Sequence, residues 1–233
     1  MERKFRHEYK YLCDSGQNAV LKMRVKGLLQ EDRNTGEKGY YSIRSLYFDT
    51  LDNRCYRENE DGYDKRDKYR IRIYNADPKK IMLEKKSKER QMTSKKSCQI
   101  SEEICRKLMA NQRIETTEDM SLSQKELLLE MQLKGMRPMI IVEYLRFPYV
   151  EKNGNVRITF DEHITSSNDI KSFLEEELIT RPILGLGQSV LEVKWDEFLP
   201  SYIKEHMGME NLQWTNFSKY YLCRKYNTLG TSI

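Results

Sequence analysis

Arginine, lysine and glutamate occupy every second position in six short apolar stretches of this 233-residue chain. Side chains on a β-strand point alternately to opposite faces, so each stretch would have one greasy face and one ionic face. Tyr69–Ile73 places Arg70 and Arg72 together, and Leu191–Trp195 does the same for Glu192 and Lys194. The pattern recurs with Arg157 and Asp161, with Glu84 and Lys86, with Arg6, Glu8 and Lys10, and with Arg146 beside Tyr144. If the faces converge on one interior, Arg6, Lys10, Arg70, Arg72, Lys86, Arg146, Arg157 and Lys194 meet Glu8, Glu84, Asp161 and Glu192 there. Cations then outnumber anions. Like charges about 4 Å apart at an effective dielectric near 20 repel by roughly 4 kcal/mol, so such a lumen must be wet and must bind something multiply anionic. Carboxylates among the cations are useful to a phosphate site if they hold Mg²⁺ or Mn²⁺ against the phosphate oxygens.

Convergence requires the strands to close. An ordinary sheet with one solvated face also alternates, but such faces favour Thr, Ser and mixed polar residues, whereas here basic residues recur with carboxylates on strands far apart in sequence. A closed antiparallel barrel brings the inward faces together. The bulk composition permits this: 38% of residues are hydrophobic and 33% charged, with 15 Tyr and 7 Phe to build strands and a net charge of +5. Cys13, Cys55, Cys98, Cys105 and Cys223 have no metal-ligand spacing and read as reduced thiols. No catalytic role is assigned to His7, His163 or His206, and Trp195 and Trp214 read as packing residues. No apolar run is long enough to span a bilayer and no leader follows Met1, so a soluble cytoplasmic protein is expected.

Along the chain, Asp14 or Ser15 can cap a helix carrying Leu21, Val25, Leu28 and Leu29 and ending near Asp32–Asn34. A strand follows over Tyr40–Asp49, then a short polar helix or turn through Arg57. Gly62–Tyr74 and Lys80–Lys86 read as a hairpin joined by Asn75-Ala-Asp-Pro78. The basic stretch Ser87–Gln99 suits a solvated loop, although its end has strand parity, which would turn Lys95 inward. Helices are expected over Ser101–Asn111 and Ser123–Lys134. Asn153-Gly154 marks a hairpin between Met139–Val150 and Asn155–Ile164. Asn168–Leu184 stays ambiguous, Gly185-Leu-Gly187 reads as a turn, and Val190–Trp195 as a strand. Ser201–Met207 and Asn216–Tyr226 read as helices, the second bearing Ser218 and Lys219.

Eight of these pieces, in order, resemble the VTC-type polyphosphate polymerase domain, a branch of the triphosphate tunnel metalloenzymes. They are Glu8-Tyr-Lys10-Tyr, Ser45-Leu-Tyr-Phe-Asp49, Tyr69-Arg-Ile-Arg-Ile-Tyr74, Leu83-Glu-Lys-Lys86, Glu143-Tyr-Leu-Arg146, Arg157-Ile-Thr-Phe-Asp161, Leu191-Glu-Val-Lys194 and Phe217-Ser-Lys-Tyr220. The resemblance covers about residues 1 to 225. It implies an α+β fold in a single domain over 1–233: a closed antiparallel barrel of about eight strands with helices around it. It also implies transfer of the terminal phosphoryl group of ATP to a growing polyphosphate chain, with Mn²⁺ or Mg²⁺. Other branches open with Glu-x-Glu-x-Lys, whereas this chain has Arg6-His-Glu8-Tyr-Lys10. A cation replaces the first metal-binding carboxylate, which favours the VTC branch.

Within that frame Arg70 and Arg72 are expected to clamp phosphates, because a guanidinium offers a planar bidentate fork. Lys10, Lys86, Arg146 and Arg157 complete the predicted catalytic cage. Tyr144, Lys95, Lys194, Ser218 and Lys219 are expected to bind substrate, and Glu192 to hold the metal with Glu84 or Glu8. ATP and inorganic polyphosphate are the expected partners, nucleic acid is not, and passage of product across a membrane would require a separate protein. Two functional rivals stay open: a tripolyphosphatase or nucleoside triphosphatase with water as acceptor, and a noncatalytic polyphosphate-binding or regulatory module; a salt-bridge rival without ligand pairs Arg70 with Glu84 and Lys194 with Glu192.

Overall fold

The alternating stretches fold as strands whose apolar faces are buried against helices on the outside. The computed structural model describes residues 5–229, with side chains as far as Asn227. Its strands are β1 (Arg6–Cys13), β2 (Gln30–Glu31), β3 (Tyr41–Asp49), β4 (Arg66–Tyr74), β5 (Asp77–Glu89), β6 (Met92–Ile100), β7 (Arg137–Glu151), β8 (Val156–Ser167), β9 (Arg181–Pro182) and β10 (Ser189–Trp195). Eight of them close a ring in the order β7-β3-β4-β5-β6-β1-β10-β8, with β8 pairing back to β7 and every pairing antiparallel. The two-residue strands β2 and β9 lengthen its edges. The expected α+β barrel is the observed architecture.

Closure is uneven around the ring. Most neighbouring strands pair over five or more residues, whereas among the described residues β1 and β6 overlap by their first two residues, Arg6↔Thr93 and His7↔Met92.

The helices are α1 (Ser15–Leu28), α2 (Arg54–Glu60), α3 (Glu102–Met109), α4 (Leu122–Leu133), α5 (Ser201–Met207) and α6 (Lys219–Leu229). Asp14 caps α1 by accepting from the Gln17 amide, and Gln17 returns the bond. The helix stops at Leu28, short of the expected Asp32, because Leu29 turns extended and feeds β2. Ser121, two residues before the predicted start, caps α4 in the same reciprocal way with Gln124. The C-terminal helix begins at Lys219 rather than Asn216, with the Ser218 hydroxyl accepting from the Tyr221 amide.

Turns extend the predicted hairpins. Asn75 and Ala76, at φ 53° and 52°, join β4 to β5, so a two-residue link replaces the expected four-residue one. Arg90 and Gln91, at φ 49° and 63°, join β5 to β6. The basic stretch read as a loop is therefore strand on both sides of that turn. Gly154 turns β7 into β8 at φ 71°, where an added Cβ would lie 2.4 Å from the Phe198 carbonyl oxygen. The ambiguous Asn168–Leu184 segment holds a 3₁₀ turn at Ile170–Leu174 and the short β9.

Two apolar cores flank the barrel. One joins Ile71, Ile73, Leu83 and Ile141 of the wall to Leu108, Leu127, Leu128 and Cys223 of α3, α4 and α6. The other joins Ile158, Phe160, Leu191 and Val193 to Leu21, Val25, Ile203 and Met207 of α1 and α5. All five cysteines are buried free thiols. Among the described residues no helix is long and apolar enough to cross a membrane.

Candidate active site

Strand parity sends the charged side chains to the axis, where they enclose a cavity of about 120 Å³. That is room for about four waters at their liquid volume. From β4 come Arg66, Lys68, Arg70 and Arg72, and from β5 Lys86 and Lys88. Glu8 and Lys10 of β1, Tyr144 and Arg146 of β7, and Glu192 and Lys194 of β10 line the remaining wall. Ser218 and Lys219 close one side from the start of α6. Ten cationic side chains thus face two carboxylates around one space.

Carboxylates fix the orientation of most of the cations. Glu8 binds Lys86 at 2.6 Å and Lys10 at 3.0 Å, and Glu192 pairs with Lys194, with Lys10 at 3.7 Å and with Arg146 at 3.7 Å. Asp161, fully buried behind the cavity wall, grips Arg146 through two bonds of 2.7 and 2.8 Å and Lys219 at 2.5 Å. Burial alone would raise the pKa of Asp161, but Arg146 and Lys219 overcome it and hold the carboxyl below its ordinary value. Glu8 and Glu192 are likewise kept ionised, each by surrounding lysines working against burial. Tyr144 lies under both Lys219 and Arg146, with Nζ 4.7 Å and Cζ 5.4 Å from its ring centroid, and its hydroxyl accepts from Arg72 at 3.3 Å.

Of the residues expected to face the interior, Arg6, Glu84, Lys95, Arg157 and Asp161 sit apart from the cavity lining, Arg6 being paired with Asp196 at 2.6 Å. Glu84, 1% exposed, is surrounded by Arg70 at 2.7 Å, Arg72 at 3.9 Å and Lys95 at 3.0 Å. It holds the two arginines that reach the cavity. Lys95 has the inward parity expected of it, yet its side chain is 51% exposed and turns to Glu84. Arg157 is drawn toward Asp32, at 2.8 Å, and the Tyr41 hydroxyl, at 3.0 Å. The Arg70–Glu84 and Lys194–Glu192 pairs of the salt-bridge rival are present. They leave a surplus of positive charge.

That surplus is concentrated where sequence reasoning did not look. Among the described residues Arg66, Lys68 and Lys88 have no carboxylate oxygen within ion-pair distance, although all three line the cavity. Lys68 donates only to Asn59 Oδ1 at 3.0 Å and Ser218 Oγ at 2.7 Å. Burial, followed by Lys10, Arg66 and Lys86, pushes its pKa well below the ordinary lysine value. The signal was there in the alternation itself, extended two and four residues before Arg70 and two beyond Lys86. Asp49 was also overlooked. Fully buried, it accepts from the Thr50, Cys55 and Tyr56 amides and from the Tyr220 hydroxyl, tying α6 to α2 and so setting Ser218 and Lys219 over the cavity.

The carboxylates facing the cavity fit a hard divalent cation shared with a substrate. Mg²⁺ and Mn²⁺ accept one or two protein carboxylates and take their other oxygens from phosphate and water. Glu8 and Glu192 supply two such carboxylates, bridged by Lys10. The Thr159 hydroxyl, paired in register with Glu192, is buried without a partner. Among the described residues there is no grouping of three acidic, His or Cys side chains able to hold a metal unaided.

Lys86 makes binding pH-dependent. Burial, with Lys10 and Lys194, outweighs Glu8 and lowers its pKa to about 7. A lysine whose folded pKa is depressed leaves the folded state with fewer protons than the unfolded one, so stability rises with pH between about 7 and about 10.4. A polyanion favours the charged form, so binding at pH 8 should take up a proton and affinity should fall as pH rises above about 7. Calorimetric titration with tripolyphosphate at pH 8, in two buffers of different ionisation enthalpy, measures this uptake. Equal heats in the two buffers would contradict it.

The sequence model of the VTC domain family matches residues 5–227. Among curated protein sequences no match is found. Among solved structures, HpAC1 from Hippeastrum, described as an adenylyl cyclase with a dominant triphosphatase activity, aligns with a TM-score of 0.57 at 14% identity, over 95% of this chain and 96% of that one. A Bacillus halodurans protein assigned as an adenylate cyclase aligns with a TM-score of 0.51 at 13% identity, over 90% and 89% of the two chains. At these identities the likeness concerns the fold alone, the closed barrel. With the family's sequence pattern running through nearly every strand that builds the cavity, the chain belongs to the VTC domain family.

Proposed function

We propose that the protein is a polyphosphate polymerase that transfers the terminal phosphoryl group of ATP to a growing polyphosphate chain inside the barrel. The observation that carries this reading is the excess of cations over carboxylates around one cavity, together with membership of the VTC family. Phosphoryl transfer asks a protein mainly to align donor and acceptor and to neutralise charge on the transferring oxygens. Arg70, Arg72 and Arg146 are held by Glu84 and Asp161 with donors left for a phosphate. Lys10, Lys86 and Lys194 surround the chain from β1, β5 and β10, while Lys219, Ser218 and Tyr144 act from the α6 side. Arg157 and Lys95 belong in this reading to the margins of the tunnel. Glu192 and Glu8 would hold Mg²⁺ or Mn²⁺ with the phosphate oxygens, Glu84 being committed to its arginines. When bound, the metal supplies charge neutralisation and geometry at the reacting phosphate. No protein nucleophile is required, since a terminal phosphate oxygen of the chain can attack directly.

Hydrolysis is the second reading. It is favoured by the triphosphatase activity named for HpAC1, whose barrel this chain shares. Purified protein incubated with ATP, Mn²⁺ and a short polyphosphate primer distinguishes the two on a gel. A ladder of lengthening chains is expected, and Arg72→Ala should slow it by about 10²- to 10³-fold, the usual cost of losing one donor aimed at developing charge. ADP and orthophosphate without a ladder would overturn the polymerase reading in favour of hydrolysis. Delivery of the product across a bilayer would require a membrane partner.

A further inference from the structure

Outside the barrel, α3, α4 and the start of β7 enclose a groove of about 770 Å³. Ile114 and Met131 are buried in its floor, while Leu129 and Leu133 stand along it 53% and 80% exposed. Arg113 and Arg137 also line it, against one carboxylate, Glu115. Among the described residues neither arginine has an ion pair or a side-chain hydrogen bond. The groove is apolar with a positive rim.

The same chain carries a segment of the complementary chemistry. Glu175, Glu176 and Glu177 are consecutive exposed carboxylates without an ion pair among the described residues, and Ile179, just beyond them, is 91% exposed. Arg44 holds this loop in one shape. Itself buried, it donates to the Phe173 and Glu176 carbonyls at 3.1 and 3.2 Å, to the Glu175 carbonyl, and to the Glu143 carboxylate at 3.0 Å. A segment already fixed in shape loses little entropy on docking. It does not fold into its own groove: no residue of the loop lines it, and Glu143 and Arg137 are separated along β7 by about 20 Å of strand.

We propose that the protein self-associates through these two features, the Glu175–Ile179 loop of one copy seating in the groove of a second. Ile179 enters between Leu129 and Leu133, and the three glutamates face Arg113 and Arg137. A two-fold axis repeats the contact with the roles exchanged, so both loops and both grooves are filled and the assembly closes as a dimer. Charge decides the occupant, because a second copy meets the positive rim with carboxylates that have no other ion pair. None of these residues lines the tunnel, so dimerisation leaves its lining untouched.

Sedimentation of the full chain over a range of concentrations tests this. The parent should pass from monomer to dimer, and less readily as salt is raised. Ile179→Asp changes a side chain that contributes little to the fold, and it should raise the dimer dissociation constant at least about tenfold, since the two-fold axis counts it twice. The double variants Glu176→Arg with Glu177→Arg, and Arg113→Glu with Arg137→Glu, each make loop and groove alike in sign. Each should be monomeric alone, and the two should pair when mixed. A parent that stays monomeric throughout, or an Ile179→Asp variant that dimerises as the parent does, would overturn the proposal. So would charge variants that melt like the parent yet fail to pair in the mixture.

Discussion

Asp161→Asn is expected to cost about 3–5 kcal/mol, the usual penalty for removing one partner of a buried charge cluster, and to lower Tm by roughly 10 °C in a chain of this size. Asp161 has no solvent exposure and satisfies Arg146 twice and Lys219 once. The amide keeps the shape but loses the charge, and its NH₂ would point donors at donors. Arg146 and Lys219 would be left as desolvated cations at the cavity wall, with Glu192 already committed to Lys194 and Lys10. Any activity should fall with the fold, because these two cations would also leave their places over Tyr144. Thermal unfolding checks the prediction. A Tm within about 2 °C of the parent would mean that Glu192, 3.7 Å from Arg146, takes over the role of Asp161.

Lys68→Met should do the opposite to stability while damaging binding. Lys68 is half-buried beside Lys10, Arg66 and Lys86 with no carboxylate at ion-pair distance among the described residues, so its charge opposes folding when no anion is present. Methionine keeps the length of the stem and removes the charge. Ligand-free Tm should rise by a few degrees, corresponding to about 1–2 kcal/mol. Tripolyphosphate affinity should fall about 10- to 100-fold, since a hydrogen bond to a charged group contributes roughly 1.5–3 kcal/mol. The adjacent Ser218 hydroxyl still accepts from the Tyr221 amide, so α6 keeps its start. Parallel melting and binding curves decide the matter. A lower Tm would show that the bonds from Lys68 to Asn59 and Ser218 stabilise the fold more than its charge opposes it.

Strand parity was the most legible property of this chain, because a period of two survives without knowledge of the neighbours. It placed Arg70, Arg72, Glu8, Lys10, Glu192 and Lys194 on one axis although they lie up to 186 positions apart in the sequence. Parity says nothing about depth along that axis. Glu84, Lys95 and Arg157 all carry the right parity and still miss the cavity lining, the last because Asp32, from the loop after α1, reaches it across 125 positions. Strand ends were equally hidden. Arg90 and Gln91 adopt positive φ without Gly or Asn, so that turn carries no usual marker, unlike the one at Asn75, and the strand beyond Arg90 reads as a basic loop. Lys68 and Arg66 lie on the same alternation, two and four residues before Arg70, and face the same axis.

Barrels of this size commonly fill their centre with packed side chains; this one lines its centre with charge and wears its oil on the outside, in two patches under the helices. The helices are therefore a coat that the tube cannot shed. Stripping α3, α4 and α6 to obtain a smaller barrel would lay bare the Ile and Leu rows of β4, β5 and β7, and the product of such trimming is a precipitate.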